Sequence, residues 1–308
     1  MQVRLRVPAT TANLGPGFDA LGLALDLWNE AVFEANEAAD DDAIEVTVEG
    51  EGRAVLPANG DNAIVQAAAN VFQLAERPFR GFRLRCINRV PLGSGLGSSS
   101  AAMLTGMLGA NAMLGNLFGA EQILKLAIER EGHPDNVAPA MLGGLVASIV
   151  HESEVFSIKL PARASHGPIH ATVVLPDFEF PTERARAILP TEVERSAAIY
   201  NMSRAVMVTE ALRTGDLELL GRAMTDRLHQ PYRIPLIPGA EQAIEAARNA
   251  GAAAVALSGA GPSLIAFTSK CDPAVGAAMC SGFAAAGLTA RVFELAPTAE
   301  GAQVMISL

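Results

Sequence analysis

The chain has 308 residues, half of them hydrophobic but only 5% aromatic, and a net charge of −10 from 33 acidic and 23 basic side chains. That length predicts two domains, and the composition an aliphatic, alanine-rich core. The acidic balance without a Lys/Arg-rich run argues against nucleic acid as a partner, and three cysteines at unrelated spacing (Cys86, Cys271 and Cys280) form neither a disulfide framework nor a zinc pattern. The N-terminal MQVRLRVPATTANLG alternates instead of forming an apolar signal core, and the longest apolar run, AAAVALSGAGPSLIAF, is interrupted by Gly, Ser and Pro. Neither a signal peptide nor a membrane span is expected, and a soluble protein of the reducing cytoplasm is.

In chain order, Val3, Leu5 and Val7 mark a first strand that Pro8 is expected to end, followed by a loop over 9–19. After an acidic turn at 40–42, a strand is predicted at 44–48, a helix at 62–75 and a strand at 82–87. A helix from Ser99 carries Gly106 and Gly109, three apart, at a cost in propensity that points to close packing against another backbone. A helix at 120–129 ends in Gly132 and Pro134, and an apolar strand follows at 145–150. Turn residues at 161–168 mark a domain boundary. The second half reads as a strand at 169–175, helices at 183–188, 197–212, 217–228 and 240–249, strands at 253–257 and 263–267, a helix at 273–285 and a last strand at 289–295. The order lacks regular βα repetition, so the class is α+β.

Four loops are candidates for chemistry. In the first, Asn13 and Asp19 flank the forced turn Gly15–Pro16–Gly17. It reads either as an ordinary loop or as a ligand site, with Asn13 a two-way hydrogen bonder and Asp19 a partner for a substrate ammonium. The second, PLGSGLGSSSAA, follows a strand and opens a helix. Its spaced glycines and unpaired helix-start N–H groups suit a phosphate, and its serines can cap the helix or reach phosphate oxygens and Mg²⁺. It is neither a Walker A loop nor a Rossmann fingerprint, because its spacing is G-x-G-x-G. The third, EREGHPDN, is either a solvated helix end or a site in which Glu129 or Glu131 meets Mg²⁺ while Asp135 and Asn136 orient a substrate hydroxyl. The fourth, SGAGPS, is either a turn between two strands or a second backbone nest over phosphates.

Taken together, VPATTANLGPGFDALGLAL, VPLGSGLGSSSAA and ALSGAGPSLIAF resemble the three motifs of the GHMP kinase superfamily, in order. TANLGPGFDALG, EGHPDNVAPAMLGG, PTERARAILP and RLHQPYR are similar to the homoserine kinase family in particular. The resemblance spans essentially the whole chain. It implies the GHMP kinase fold: a ribosomal-protein-S5-domain-2-like N-terminal domain, set at 1–163, and a ferredoxin-like C-terminal domain at 164–308, with ATP and substrate in the cleft between them. The implied reaction is ATP-dependent phosphorylation of the side-chain hydroxyl of L-homoserine, a step of L-threonine biosynthesis, by a homodimer.

By the same resemblance, Pro91, Leu92, Gly93, Ser94, Gly95, Leu96, Gly97, Ser98, Ser99, Ser100 and Ala101 form the ATP loop, with Ser99 near Mg²⁺. Asn13, Asp19, His133, Thr182, Arg186, Arg233 and Gly259 face the substrate, and Asp135 and Asn136 are catalytic. The two arginines suit an α-carboxylate, because a guanidinium grips a carboxylate with two parallel bonds. Glu129 and Glu131 are both candidates for the metal, Glu129 being preferred. The alternatives are another small-molecule kinase of the superfamily, mevalonate- or shikimate-type, and a non-catalytic ligand sensor of the same fold.

Overall fold

Strand-forming alternation at the N-terminus buries Val3, Leu5 and Val7 on one face, and around that strand a mixed seven-stranded sheet assembles. A computed structural model describes residues 1–36, 43–79, 81–152 and 154–307; the acidic turn expected at 40–42 lies outside the described residues. Strand β1 (Gln2–Ala12) pairs antiparallel with β2 (Leu21–Ala35), which pairs with β4 (Phe82–Asn88); β3 (Ile44–Gly50) lies parallel to β4. Strand β5 (Leu145–His151) takes the Leu21–Leu23 end of β2 and forms a hairpin with β6 (Glu154–Leu160). Helices α1 (Ala63–Leu74), α2 (Ser98–Met113), α3 (Ala120–Glu131) and α4 (Val137–Leu142) belong with the sheet to one core that includes Phe33, Leu84, Leu104 and Met107.

The second half builds a four-stranded antiparallel sheet from β7 (His170–Pro176), β8 (Ala254–Leu257), β9 (Leu264–Thr268) and β10 (Ala290–Leu295), in the order β10-β7-β9-β8. With helices between β7 and β8 and between β9 and β10, this is the βαββαβ arrangement of ferredoxin-like folds. Helices α9 (Ala240–Asn249) and α10 (Pro273–Ala284) cover one face. The other face packs with α6 (Arg195–Thr214) and α7 (Leu217–Ala223) and with Leu14, Leu23, Leu25 and Leu96 of the first half, so one hydrophobic cluster joins the two layers. Short helices α5 (Thr182–Ala187) and α8 (Gln230–Arg233) stand at the junction. The α+β class expected from the sequence is the one found.

The structure corrects several elements. Pro8 does not end β1: the register slips between Pro8 and Ala9, a bulge at which proline is tolerated, and the strand runs on to Ala12. Strand β2 has no counterpart in the expected elements, because its first five residues are all buried and show no alternation. Strands β6 and β11 (Gln303–Ser307) were also not expected. Both are largely exposed, and β11 pairs only with β1, returning the chain's end to the first sheet. The helix expected at 217–228 stops at Ala223. Beyond it the Asp226 carboxylate accepts the backbone N–H groups of Leu228, His229 and Gln230 and turns the chain sharply.

Candidate active site

The glycine loop is shaped by backbone sign. Gly93, Gly95 and Gly97 take φ of 59°, 77° and 72°, alternating with ordinary residues, which turns successive N–H groups inward as a nest. Sterics add to this at two of the three: a Cβ on Gly95 would strike the Ser258 carbonyl, and one on Gly97 the Thr10 hydroxyl. Helix α2 begins here with Gly97 as its N-cap and no side-chain cap, so Ser98, Ser99 and Ser100 are its first turn and not its caps. The helix-start N–H groups are thereby left for an anion.

Supports for the loop come from outside it. The Asn29 side chain of β2 accepts from Arg89 N and Val90 N at 2.8 and 2.9 Å, fixing the entry. Ser94 Oγ donates to the Pro91 carbonyl, and Leu96 and Ala101 are fully buried anchors. Leu92 is exposed and lines a neighbouring cavity. Ser258 Oγ donates to the Gly95 carbonyl at 2.7 Å, so the SGAGPS turn braces the loop directly.

A cavity of about 360 Å³ opens in front of this nest. The structure brings to it Gly93, Ser94, Gly95, Gly97, Ser98 and Ser99 from the loop, Glu131 from the end of α3, His133, Asp135 and Asn136 from the segment after it, and Thr182, Arg186, Arg233, Asn13 and Gly259 from four further elements. Asp19 enters through its partner: Arg186 donates to both Asp19 oxygens, at 3.0 and 2.7 Å. The Asp19 bond and charge raise the Arg186 pKa against its partial burial.

Asn13, Leu14 and Asp19 all take positive φ, an unfavourable conformation for side-chain-bearing residues that is held by the surrounding loop. Asn13 Nδ2 donates to the Gly259 carbonyl and its Oδ1 accepts from Asp19 N, so this amide folds the loop as well as lining the cavity. The second arginine, Arg233, is 1% exposed. Burial, with the charge of Arg186, pushes its pKa down to about 10, still protonated at neutral pH.

The carboxylates divide clearly. Glu131, the last residue of α3, accepts from Ser100 Oγ at 2.8 Å and Ser99 Oγ at 3.3 Å, which ties it to the start of α2. Glu129, the residue preferred from the sequence, is not brought to the cavity; it lies on the exposed side of α3 with Lys125 at 3.7 Å. At 3.6 residues per turn, a two-residue step along the helix rotates a side chain by about 200°, which sets Glu129 and Glu131 on opposite faces and decides between them. Asp135 is 2% exposed and meets His133 Nδ1 at 3.0 Å. Burial alone would lower the His133 pKa, but the hydrogen bond and charge of Asp135 outweigh it and the pKa rises. Asn136 Oδ1 accepts from Thr10 Oγ1 at 2.8 Å, which leaves its Nδ2 donors for the cavity. Gly22 of β2 lets the strand pass under this turn, where a Cβ would strike the Asp135 carbonyl.

Thr10, Ser258 and His229 help to build the site and were not among the residues expected from the sequence. The local signals were polar Thr10 and Thr11 ending an apolar strand, the SGAGPS turn that contains Ser258 and the RLHQPYR segment that contains His229. Among the described residues no group of three or more His, Cys, Asp or Glu side chains is placed to hold a metal ion, and no helix is long and apolar enough to cross a membrane.

The family model for the GHMP kinases N terminal domain matches residues 62–144, and that for the GHMP kinases C terminal matches 208–285. A homoserine kinase of Moorella thermoacetica is 45% identical over 301 residues, covering 98% of this chain and 99% of that protein. The crystal structure of homoserine kinase from Cytophaga hutchinsonii superposes with a TM-score of 0.85 at 31% identity, covering 99% of this chain and 97% of that one. A solved complex of MDDEF with MVAPP, AMPPCP and magnesium has a TM-score of 0.68 at 18% identity, covering 100% of this chain and 99% of that one, and shares the fold alone. By sequence over nearly its full length and by fold, the chain belongs to the homoserine kinase family of the GHMP kinases.

Proposed function

We propose that this kinase transfers the γ-phosphoryl group of ATP to the side-chain hydroxyl of L-homoserine, giving O-phospho-L-homoserine for threonine biosynthesis. The observation that carries the reading is the meeting, in one cavity, of an N–H-rich phosphate nest with an Asp19–Arg186–Arg233 set of charges suited to a zwitterion. In the proposed complex, residues 91–101 cradle the ATP phosphates. Arg186 and Arg233 take the α-carboxylate, Asp19 the ammonium, and Asn13, Thr182 and Gly259 line the rest of the amino-acid site. Phosphoryl transfer asks mainly for alignment and charge neutralisation. The Nδ2 group of Asn136 orients the hydroxyl, and Asp135, steadied by His133, lies beside it to receive the proton.

The donor set near Glu131 is made of hard oxygens, one carboxylate and the Ser99 and Ser100 hydroxyls. It fits Mg²⁺, which binds through one or two carboxylates with substrate phosphates supplying other ligands. When bound there, Mg²⁺ offsets the phosphate charge. Glu131, and not Glu129, is the carboxylate assigned to it.

Residues 1–163 and 164–308 are proposed as N- and C-terminal units of a cytoplasmic enzyme, the second lending β11 to the first sheet. A homodimer is proposed as well. Ile199, Met202 and Val206 of α6, with Ile149, Phe156 and Ile158 of the β5–β6 hairpin, stand between 43% and 65% exposed. Exposed large apolar side chains of this kind mark interaction surfaces, and these six are the residues proposed to meet a second copy.

An ADP-release assay with L-homoserine, L-serine, mevalonate and shikimate tests the substrate. Turnover on homoserine alone is expected; preferred turnover on another alcohol overturns the substrate assignment, and none on any of them favours a ligand sensor. Asp135→Asn tests the proton's destination. A loss of several orders of magnitude in kcat with unchanged folding supports Asp135, whereas a modest loss leaves the phosphate to take the proton.

A further inference from the structure

His229 is 0% exposed at the head of α8, between the two halves of the amino-acid site. Its Nε2 lies 2.8 Å from the Gly15 carbonyl, and its Nδ1 lies 3.2 Å from Arg233 Nη1. A carbonyl only accepts and a guanidinium only donates. The ring therefore carries its proton on Nε2 and offers a bare Nδ1 to Arg233, a neutral imidazole with both nitrogens in use. Burial drives its pKa down, outweighing the nearby Asp226 carboxylate.

Each contact leads to a substrate-facing element. Gly15 lies in the turn between Asn13 and Asp19, and Phe18 of the same turn stacks on the His229 ring at 5.2 Å and 24°. Arg233, held at Nη1 by the imidazole, donates through Nε to the Ala185 carbonyl, next to Arg186 in α5. The His229 backbone is fixed in turn by Asp226, which also accepts from Asn201, whose amide reaches the Pro16 carbonyl.

We propose that His229 is a positioning residue for the amino-acid substrate: as a neutral, Nε2-protonated imidazole it sets the spacing between the Asn13–Asp19 turn and Arg233. A zwitterion gripped at both charged ends is sensitive to that spacing, whereas the phosphate loop is not built on it. The inference rests on the proposed homoserine reading, and the test separates the two.

The test compares His229→Gln, whose amide nitrogen can still reach Gly15, His229→Asn, which keeps an acceptor near Arg233, and His229→Leu, which cuts both arms. For the Leu variant, a rise of about tenfold or more in KM for L-homoserine is expected from the loss of charge-assisted positioning. KM for ATP should stay within about twofold on the same reasoning, with intermediate values for the Gln and Asn variants. A lowered melting temperature with unchanged KM for homoserine in all three overturns the proposal and leaves a purely structural role. Nitrogen NMR of the wild-type imidazoles decides independently, even if a variant does not fold: a neutral Nε2–H ring is expected near neutral pH, and an Nδ1–H or doubly protonated ring overturns the assignment. Wild-type turnover on homoserine, run in parallel, tests the substrate reading by itself, since the NMR result does not depend on it.

Discussion

Asp19 and Arg186 are 167 residues apart in the chain, yet Arg186 makes a two-pronged bond to the carboxylate. Each is about one-third exposed, so the pair adds little to stability after solvent screening. Its use is local: two opposite charges stand ready, and an amino-acid zwitterion can exchange with each. Arg186→Lys keeps the charge but loses the planar fork. It is expected to raise KM for homoserine by roughly ten- to a hundredfold, the worth of one charge-assisted hydrogen bond, with KM for ATP unchanged in steady-state kinetics.

The His133–Asp135 pair makes a second residue-scale prediction. Because the His133 pKa is raised in the fold, its stabilising contribution is full below the ordinary value of 6.5 and is lost as pH rises through the folded-state value. In Asp135→Asn the opposing burial is left unanswered, so the His133 midpoint followed by proton NMR should move from above 6.5 to below it. A midpoint still above 6.5 would mean that Asp135 is not its source.

Elements carry their own consequences, and the glycines show which. Gly106 of α2 lies against α1, where a Cβ would meet the Ile64 carbonyl. Alanine there gains about 1 kcal/mol of helix propensity, but forcing apart two packed backbones costs about 1–3 kcal/mol. The expected net result is a melting temperature lower by a few degrees, with KM values unchanged.

Gly97→Ala acts on function. It combines a positive φ, costing about 1–2 kcal/mol, with a clash at the Thr10 hydroxyl that holds Asn136. A fall in kcat and a rise in KM for ATP are expected from the same enzyme assay, beyond any loss of folded protein. Gly93 is the milder case, since its Cβ would meet open space and only the backbone sign is at stake. The shape of the glycine loop was legible because glycine spacing before a helix writes its backbone into the sequence. The absence of a serine cap was not, because the N-cap fell on Gly97.

At the scale of the molecule, one hydrophobic cluster spans both layers, so the halves are held by shared core and not by surface pairs alone. The cross-layer ion pair between Arg291 and Glu51, like that between Arg186 and Asp19, is partly exposed and is worth at most about 1 kcal/mol. The apolar face of α6 and the β5–β6 hairpin yields the last prediction. Val206→Glu with Phe156→Glu should convert a dimer to a monomer in light scattering; a wild-type monomer would overturn the homodimer, and a dimer that persists in the double variant would assign the contact elsewhere.

The sequence alone determined the α+β class, most helices, the glycine loop before α2 and the set of polar loops that meet at the site. Those features rest on local causes: hydrophobic period, glycine conformational freedom and motif order. Only the tertiary structure decided that β2 exists as a strand with a fully buried first third, that the chain's end returns beside β1, that Glu131 and not Glu129 faces the loop, and that His229 links the Asn13–Asp19 turn to Arg233. Each of these depends on what lies across a cavity or a sheet, from residues far away in the chain, and no local pattern of side chains records such a neighbour.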